Sequence, residues 1–160
     1  MRKMPVLLAI FIISGILKVS AQQSSSFNSS NYKTALGFKF FLPTAVTLKH
    51  FISPDKKALE FLGYFYNEGV RITGLYEFHN NINEVVGLKW YAGPGVHIAL
   101  YNNKHDGFTS VGIDGVIGLD YKLNNAPINL SLDYQPSIQL TDYYGDRYTS
   151  WGGLALRYTF

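Results

Sequence analysis

The 160-residue sequence contains no cysteine. That excludes disulfide bridges, a thiol nucleophile, cysteine-ligated zinc and a lipoprotein acylation site. Charged residues are scarce too, at 16%, but they come with 16% aromatic residues and 15 glycines. Such a composition excludes a disordered chain, and the length allows one domain. A surplus of positive charge is also lacking once the N-terminus is set apart. Arg2, Lys3 and Lys18 are three of the 14 Lys+Arg and no acid precedes Asp55, so residues 22–160 balance 11 bases against 11 acids. This neutrality leaves no electrostatic footprint for nucleic acid, and no such partner is expected. The apolar stretch at residues 6–17 has only 12 residues, where a membrane-crossing helix needs about 20.

What is present begins with targeting. Arg2 and Lys3 precede the apolar stretch, and Val19-Ser20-Ala21 places small residues where a signal peptidase reads. Residues 1–21 are therefore expected to be a cleavable signal peptide. Residues 22–31, QQSSSFNSSN, read as a polar, flexible leader. The remaining domain spans 32–160.

Over 32–160 the hydrophobic pattern has period two, and helical signals are nearly absent. Eight strands are expected, at about 32–41, 44–52, 58–66, 69–79, 85–101, 109–122, 127–140 and 149–160. Turn formers separate them: Leu42-Pro43, Ser53-Pro54-Asp55-Lys56, Asn67-Glu68-Gly69, Asn80-Asn81, Asn102-Asn103, Asn124-Asn125 and residues 142–146. Regularly spaced strands of this kind form a sandwich or a barrel. One face of each strand is oily and aromatic, as in Leu36, Phe38 and Phe40 or Leu154, Leu156, Tyr158 and Phe160. The opposite face mixes glycines (37, 87, 112, 118, 153) with hydroxylic, bulky and charged residues. In a soluble sandwich the oily face would be the core. The small-and-large mixture on the polar face suits the interior of a narrow closed cylinder better. In a membrane barrel apolar side chains face lipid and polar ones face inward, and the sheet must close so that no backbone edge is left bare. The fold class expected is all-β: a closed antiparallel up-and-down transmembrane barrel of eight strands.

The signal peptide with eight amphipathic strands resembles the small outer-membrane β-barrel superfamily of Gram-negative bacteria, the OmpA/OmpX/OmpW type. The last strand carries the most specific part of that resemblance. Gly153, Leu154, Leu156, Tyr158 and Phe160 are similar to the family's C-terminal insertion signal, with glycine, alternating hydrophobics and a terminal aromatic. Trp90-Tyr91-Ala92-Gly93-Pro94-Gly95-Val96 resembles the Gly-rich fifth strand of related barrels. The resemblance implies location in the cell outer membrane, with outer-membrane lipid as surroundings. It also implies handling by the barrel-assembly machinery and periplasmic chaperones, and a monomer. It implies no activity, because these proteins share a fold and not a function. Pro94 departs from a regular strand, since it removes a ladder donor. A continuous strand with a local bulge is favoured over a hairpin at Gly93-Pro94-Gly95, because it keeps Trp90, Val96, Ile98 and Leu100 on one side.

The chemistry open to such a barrel lies on its polar face. Lys39, Lys49, Arg71, Lys89 and Arg157 share that face with Glu60, Glu77, Asp114, Asp120 and Asp133, five bases against five acids. Paired charges that fill the interior are expected, since buried charges need partners. A selective pore or narrow transporter for a small solute is the alternative. His50, His79, His97 and His105 are scattered, and none pairs with another at metal-ligand spacing. Glu77 and His79 share a face, but no serine accompanies them in a recognisable motif, so a lipid-modifying enzyme ranks below both readings. No catalytic residue, metal or cofactor is assigned. The loops at 101–108 and 141–148 are long enough to present a surface. In the second, Asp142, Tyr143, Tyr144, Asp146, Arg147 and Tyr148 suit adhesion or carbohydrate contact, and equally suit a membrane interface.

Overall fold

A computed structural model describes residues 32–40, 43–54, 56–66, 69–102, 107–141 and 147–160. The expected signal peptide and leader, and Asp142, Tyr143, Tyr144 and Asp146 of the second loop, lie outside the described residues. The chain forms eight strands: β1 Thr34–Phe40, β2 Ala45–Ser53, β3 Lys57–Tyr66, β4 Gly69–Asn81, β5 Leu88–Asn102, β6 Gly107–Lys122, β7 Ile128–Gln139 and β8 Tyr148–Thr159. Each pairs antiparallel with its sequence neighbour, and β1 pairs with β8, closing the sheet into a barrel. The backbone amide of Thr34 donates to Phe160 (3.0 Å) and that of Phe160 to Thr34 (2.9 Å), so the seam is bonded at the termini. One end holds both chain termini of the barrel; the opposite end holds the connections after β1, β3, β5 and β7.

The alternation decides which way each side chain points. Phe38, Ile72, Ile117, Leu132 and Tyr158 are each more than half exposed on the outside of the cylinder. Lys49, Glu60, Thr73, Asn129 and Gln135 are fully buried inside it. Among the described residues there is a single closed sheet and no second one facing it, so the oily face is not a sandwich core.

Three local expectations are corrected. Asn80 and Asn81 belong to β4 rather than to a turn, and residues 85–87 belong to the turn rather than to β5. Gly87 has a φ of 88° and its carbonyl accepts from the Lys122 amide (2.9 Å), which ends the turn one residue before β5. At Pro94 the strand is continuous, but there is no bulge. The β4–β5 register is the same at Leu75↔Gly95 as at Phe78↔Ala92, with the ladder interrupted between them. A residue's N–H and C=O point to the same neighbouring strand, so proline loses its donor on one side only. Pro94 keeps its pairing with Gly115 of β6. Pro136 repeats the device: the β6–β7 ladder is interrupted beside it, while its pairing with Ser150 of β8 is kept. Gly93 allows the close approach at the first gap, because a Cβ there would lie 1.8 Å from the Tyr76 carbonyl oxygen.

Candidate functional site

All ten charged residues assigned to the polar face are buried inside the barrel. The closed sheet gathers them into two groups, one toward each end, with the Lys39–Asp133 pair between the two. In the group toward the terminal end, Lys49 Nζ lies 2.9 Å from Glu77 Oε2, 3.4 Å from Glu60 Oε2 and 3.5 Å from Asp120 Oδ2. Arg157 binds Glu60 through Nη2 and donates to Thr47 Oγ1 (3.0 Å), Asn129 Oδ1 (3.0 Å) and Ser131 Oγ (2.7 Å). Five side chains from five strands thus share one cluster, each contributed by strand register and none adjacent in sequence. His79 Nε2 meets Glu77 Oε2 at 2.9 Å, and its ring stacks on Tyr91 at 4.9 Å. Lys49 also sits 4.1 Å above the Tyr91 ring, and Lys89 5.3 Å from the Phe51 ring. Tyr32, just before β1, covers this end. Its hydroxyl donates to Asp120 Oδ2 (3.0 Å) and its ring meets Phe51 edge-on at 5.1 Å. Burial and the Asp120 carboxylate push the Tyr32 phenol above its ordinary range.

The group toward the opposite end is built on Arg71, which binds Asp114 Oδ1 (2.5 Å), Ser137 Oγ (3.1 Å) and Thr73 Oγ1 (3.2 Å). The Arg71 guanidinium lies 4.7 Å from the Trp151 ring. Asp114 Oδ2 in turn meets His97 Nδ1 at 2.8 Å. Ser137 Oγ approaches that same nitrogen, at 3.5 Å. Serine and carboxylate on one imidazole nitrogen cannot be linked by it as a nucleophile–base–acid relay, which needs one partner on each nitrogen. Tyr64 donates to Gln135 (3.2 Å), and Gln135 to Asp114 (3.4 Å). Beyond them Tyr66 stacks with Trp151 (6.4 Å) and Tyr101 (6.0 Å), and Tyr101 with Phe108 (4.5 Å).

Between the two groups an apolar cluster and one ion pair share the interior. Leu62, Leu75 and Val116, with Ala45, Tyr64 and Tyr91, form one buried cluster. Lys39 pairs in register with Ala45, and its Nζ binds Asp133 (2.8 Å), to which the Tyr91 hydroxyl also donates (2.7 Å). Inward glycines seat these neighbours. A Cβ at Gly95 would lie 2.5 Å from Leu75 Cδ2, and one at Gly118 would lie 2.9 Å from the Tyr91 ring. One at Gly112 would lie 2.3 Å from both His97 Cε1 and the Ile138 carbonyl oxygen. Gly112→Val should therefore overpack the interior, destabilising the barrel by about 1–3 kcal/mol, read as an earlier loss of the folded form on heating in detergent. An unchanged melting profile would mean that His97 does not occupy that seat.

Sequence reasoning missed Leu62, Leu75 and Val116 as interior residues, although they share parity with Glu60, Glu77 and Asp114. Their apolar type disguised their direction. Alternation placed Tyr64, Tyr91, Asn129 and Gln135 on the polar face, but it did not single them out as partners of the charges. Of the last-strand residues, Leu154, Leu156, Tyr158 and Phe160 face outward and Gly153 is buried inward. Arg147 and Tyr148 stand exposed where β8 begins. Among the described residues no three His, Asp or Glu converge to hold a metal ion.

No protein-family model matches the sequence, and no curated protein matches it. Among solved structures, the chain is similar to the crystal structure of the N-terminal β-barrel domain of Pseudomonas aeruginosa OprF. The identity is 15% and the TM-score 0.57, over 82% of this chain and 98% of that one. The likeness is one of fold, and it is the fold implied by the resemblance to the OmpA/OmpX/OmpW type.

Proposed function

We propose that the chain is an integral outer-membrane β-barrel protein, non-enzymatic, with a structural or surface-binding role and an interior closed by its own side chains. One observation carries the reading: the polarity of the fold is inverted. Among the described residues eleven charged side chains, the ten assigned to the polar face and Lys122, are buried, while large apolar residues stand exposed around the outside. In water that arrangement would leave a continuous apolar surface far larger than monomeric soluble proteins tolerate. In a bilayer it places hydrocarbon against lipid and leaves no open sheet edge. The likeness to the OprF barrel domain supports the same environment. Within this reading, residues 1–21 direct export and are removed, outer-membrane lipid surrounds the barrel, and β8 is the segment presented to the assembly machinery.

The deciding experiment uses residues 22–160. They should fold in detergent micelles or lipid vesicles to a heat-modifiable species that migrates faster unboiled, and remain unfolded in plain buffer. Cooperative folding to a monomer without detergent would defeat the membrane reading. Mass spectrometry of protein from outer membranes should give a chain beginning at Gln22.

A further inference from the structure

We infer that the barrel is sealed by the apolar layer of Leu62, Leu75 and Val116, and not by its ion pairs. This inference rests on the closed-barrel reading above and locates the closure within it. Each of the two polar groups is bonded within itself, although Glu77 Oε1 in one and His97 Nε2 in the other have no hydrogen-bond partner among the described residues. Arg71, Asp114, His97, Ser137, Gln135 and Tyr64 bond among themselves toward one end. Lys49, Glu60, Glu77, Asp120 and Arg157 do so toward the other. A chain of polar groups can pass water or ions only if it is continuous; between the two groups the Lys39–Asp133 pair and the Tyr91 hydroxyl lie beside side chains that offer no hydrogen bond. Leu75 fills the space vacated by Gly95 on the next strand, so the layer is packed and not merely lined. Val116 and Leu62 join it from β6 and β3. Apolar constrictions exclude water by dewetting, and an ion entering one would lose its hydration without a partner.

The competing barrier at this level is the Lys39–Asp133 pair, which borders the layer. Charged groups can rearrange around water, whereas water among apolar side chains finds no hydrogen-bond partner, so the apolar layer is the stronger seal. The two barriers make opposite forecasts in planar bilayers containing the purified full barrel. Wild type should give no discrete current steps. Leu75→Ser with Val116→Ser should create them, because the vacated space is now lined by hydroxyls that can hold water. Leu75→Ala with Val116→Ala, which vacates similar space, should stay silent because an apolar cavity stays dry. Asp133→Asn should stay silent as well.

Heat-modifiability on a gel certifies that each variant has folded. Should the serine pair fail to assemble, Leu75→Asn, which keeps a branched side chain and adds an amide, should conduct in its place. The inference is overturned if the folded serine pair, or folded Leu75→Asn in its stead, is as silent as wild type. It is equally overturned if Asp133→Asn conducts, or if the alanine pair conducts as well as the serine pair. Current steps from the wild type would instead overturn the closed-barrel reading on which the inference rests.

Discussion

Arg157→Ala should destabilise the folded barrel by about 3–5 kcal/mol, the cost of leaving a buried charge without its partner. Arg157 is almost wholly buried and donates to Glu60, Thr47, Asn129 and Ser131 at once, so truncating it removes the guanidinium from Glu60 and the donor from three buried polar groups. Lys49, 3.4 Å from the other Glu60 oxygen, compensates in part. The measurement is denaturant unfolding from lipid vesicles, followed by the fluorescence of Trp90 and Trp151. Glu60→Ala combined with Arg157→Ala should lose clearly less than the sum of the single changes, because the pair vanishes together. Strict additivity would mean that the two do not interact in the folded protein.

The second large effect lies on the opposite face of the sheet. Ile117→Arg should cost about 2–4 kcal/mol in bilayers of ordinary thickness, as a cation near the midplane of a lipid-facing strand does. Ile117 is 57% exposed on the outside of β6, between Ala92 and Tyr134. In a soluble protein that exposure would make the substitution nearly neutral, within about 0.5 kcal/mol. The same residue therefore gives two different numbers in the two environments. Folding yield into thin-chain vesicles should recover part of the loss, since the charge then lies closer to a headgroup. A near-neutral result in bilayers of ordinary thickness would count against lipid contact.

Period-two alternation, interrupted by asparagine, proline and glycine clusters, is a local property, and it placed eight strands close to where they occur. It also named ten of the eleven buried charges, Lys122 being the one left out, because alternation assigns each residue to a face. The misplacements are local too. Asn80 and Asn81 resemble a turn by type, but β4 continues through them because the turn chemistry is supplied further on by Gly87. Pro94 suggested a bulge because proline removes a donor. The strand instead tolerates the loss by opening the ladder on one side while Gly93 lets β4 come close.

Alternation says which side chains share a face but not which of them meet, because partners are set by strand register around a closed sheet. Glu60 and Arg157 are 97 residues apart, and Arg71 and Asp114 are 43 apart. Nothing in their local sequence couples them. The apolar layer was hidden for a related reason: leucine and valine read as outward-facing wherever outward is the oily side. By itself the sequence determined the strands, their two faces and the charge balance of the inner one, all of which follow from backbone periodicity and residue type. Only the closed tertiary structure decided which charges pair, that most of them divide into two groups, and that Leu62, Leu75 and Val116 stand between those groups beside the Lys39–Asp133 pair. Those are matters of register and curvature, and they exist only once β1 has joined β8.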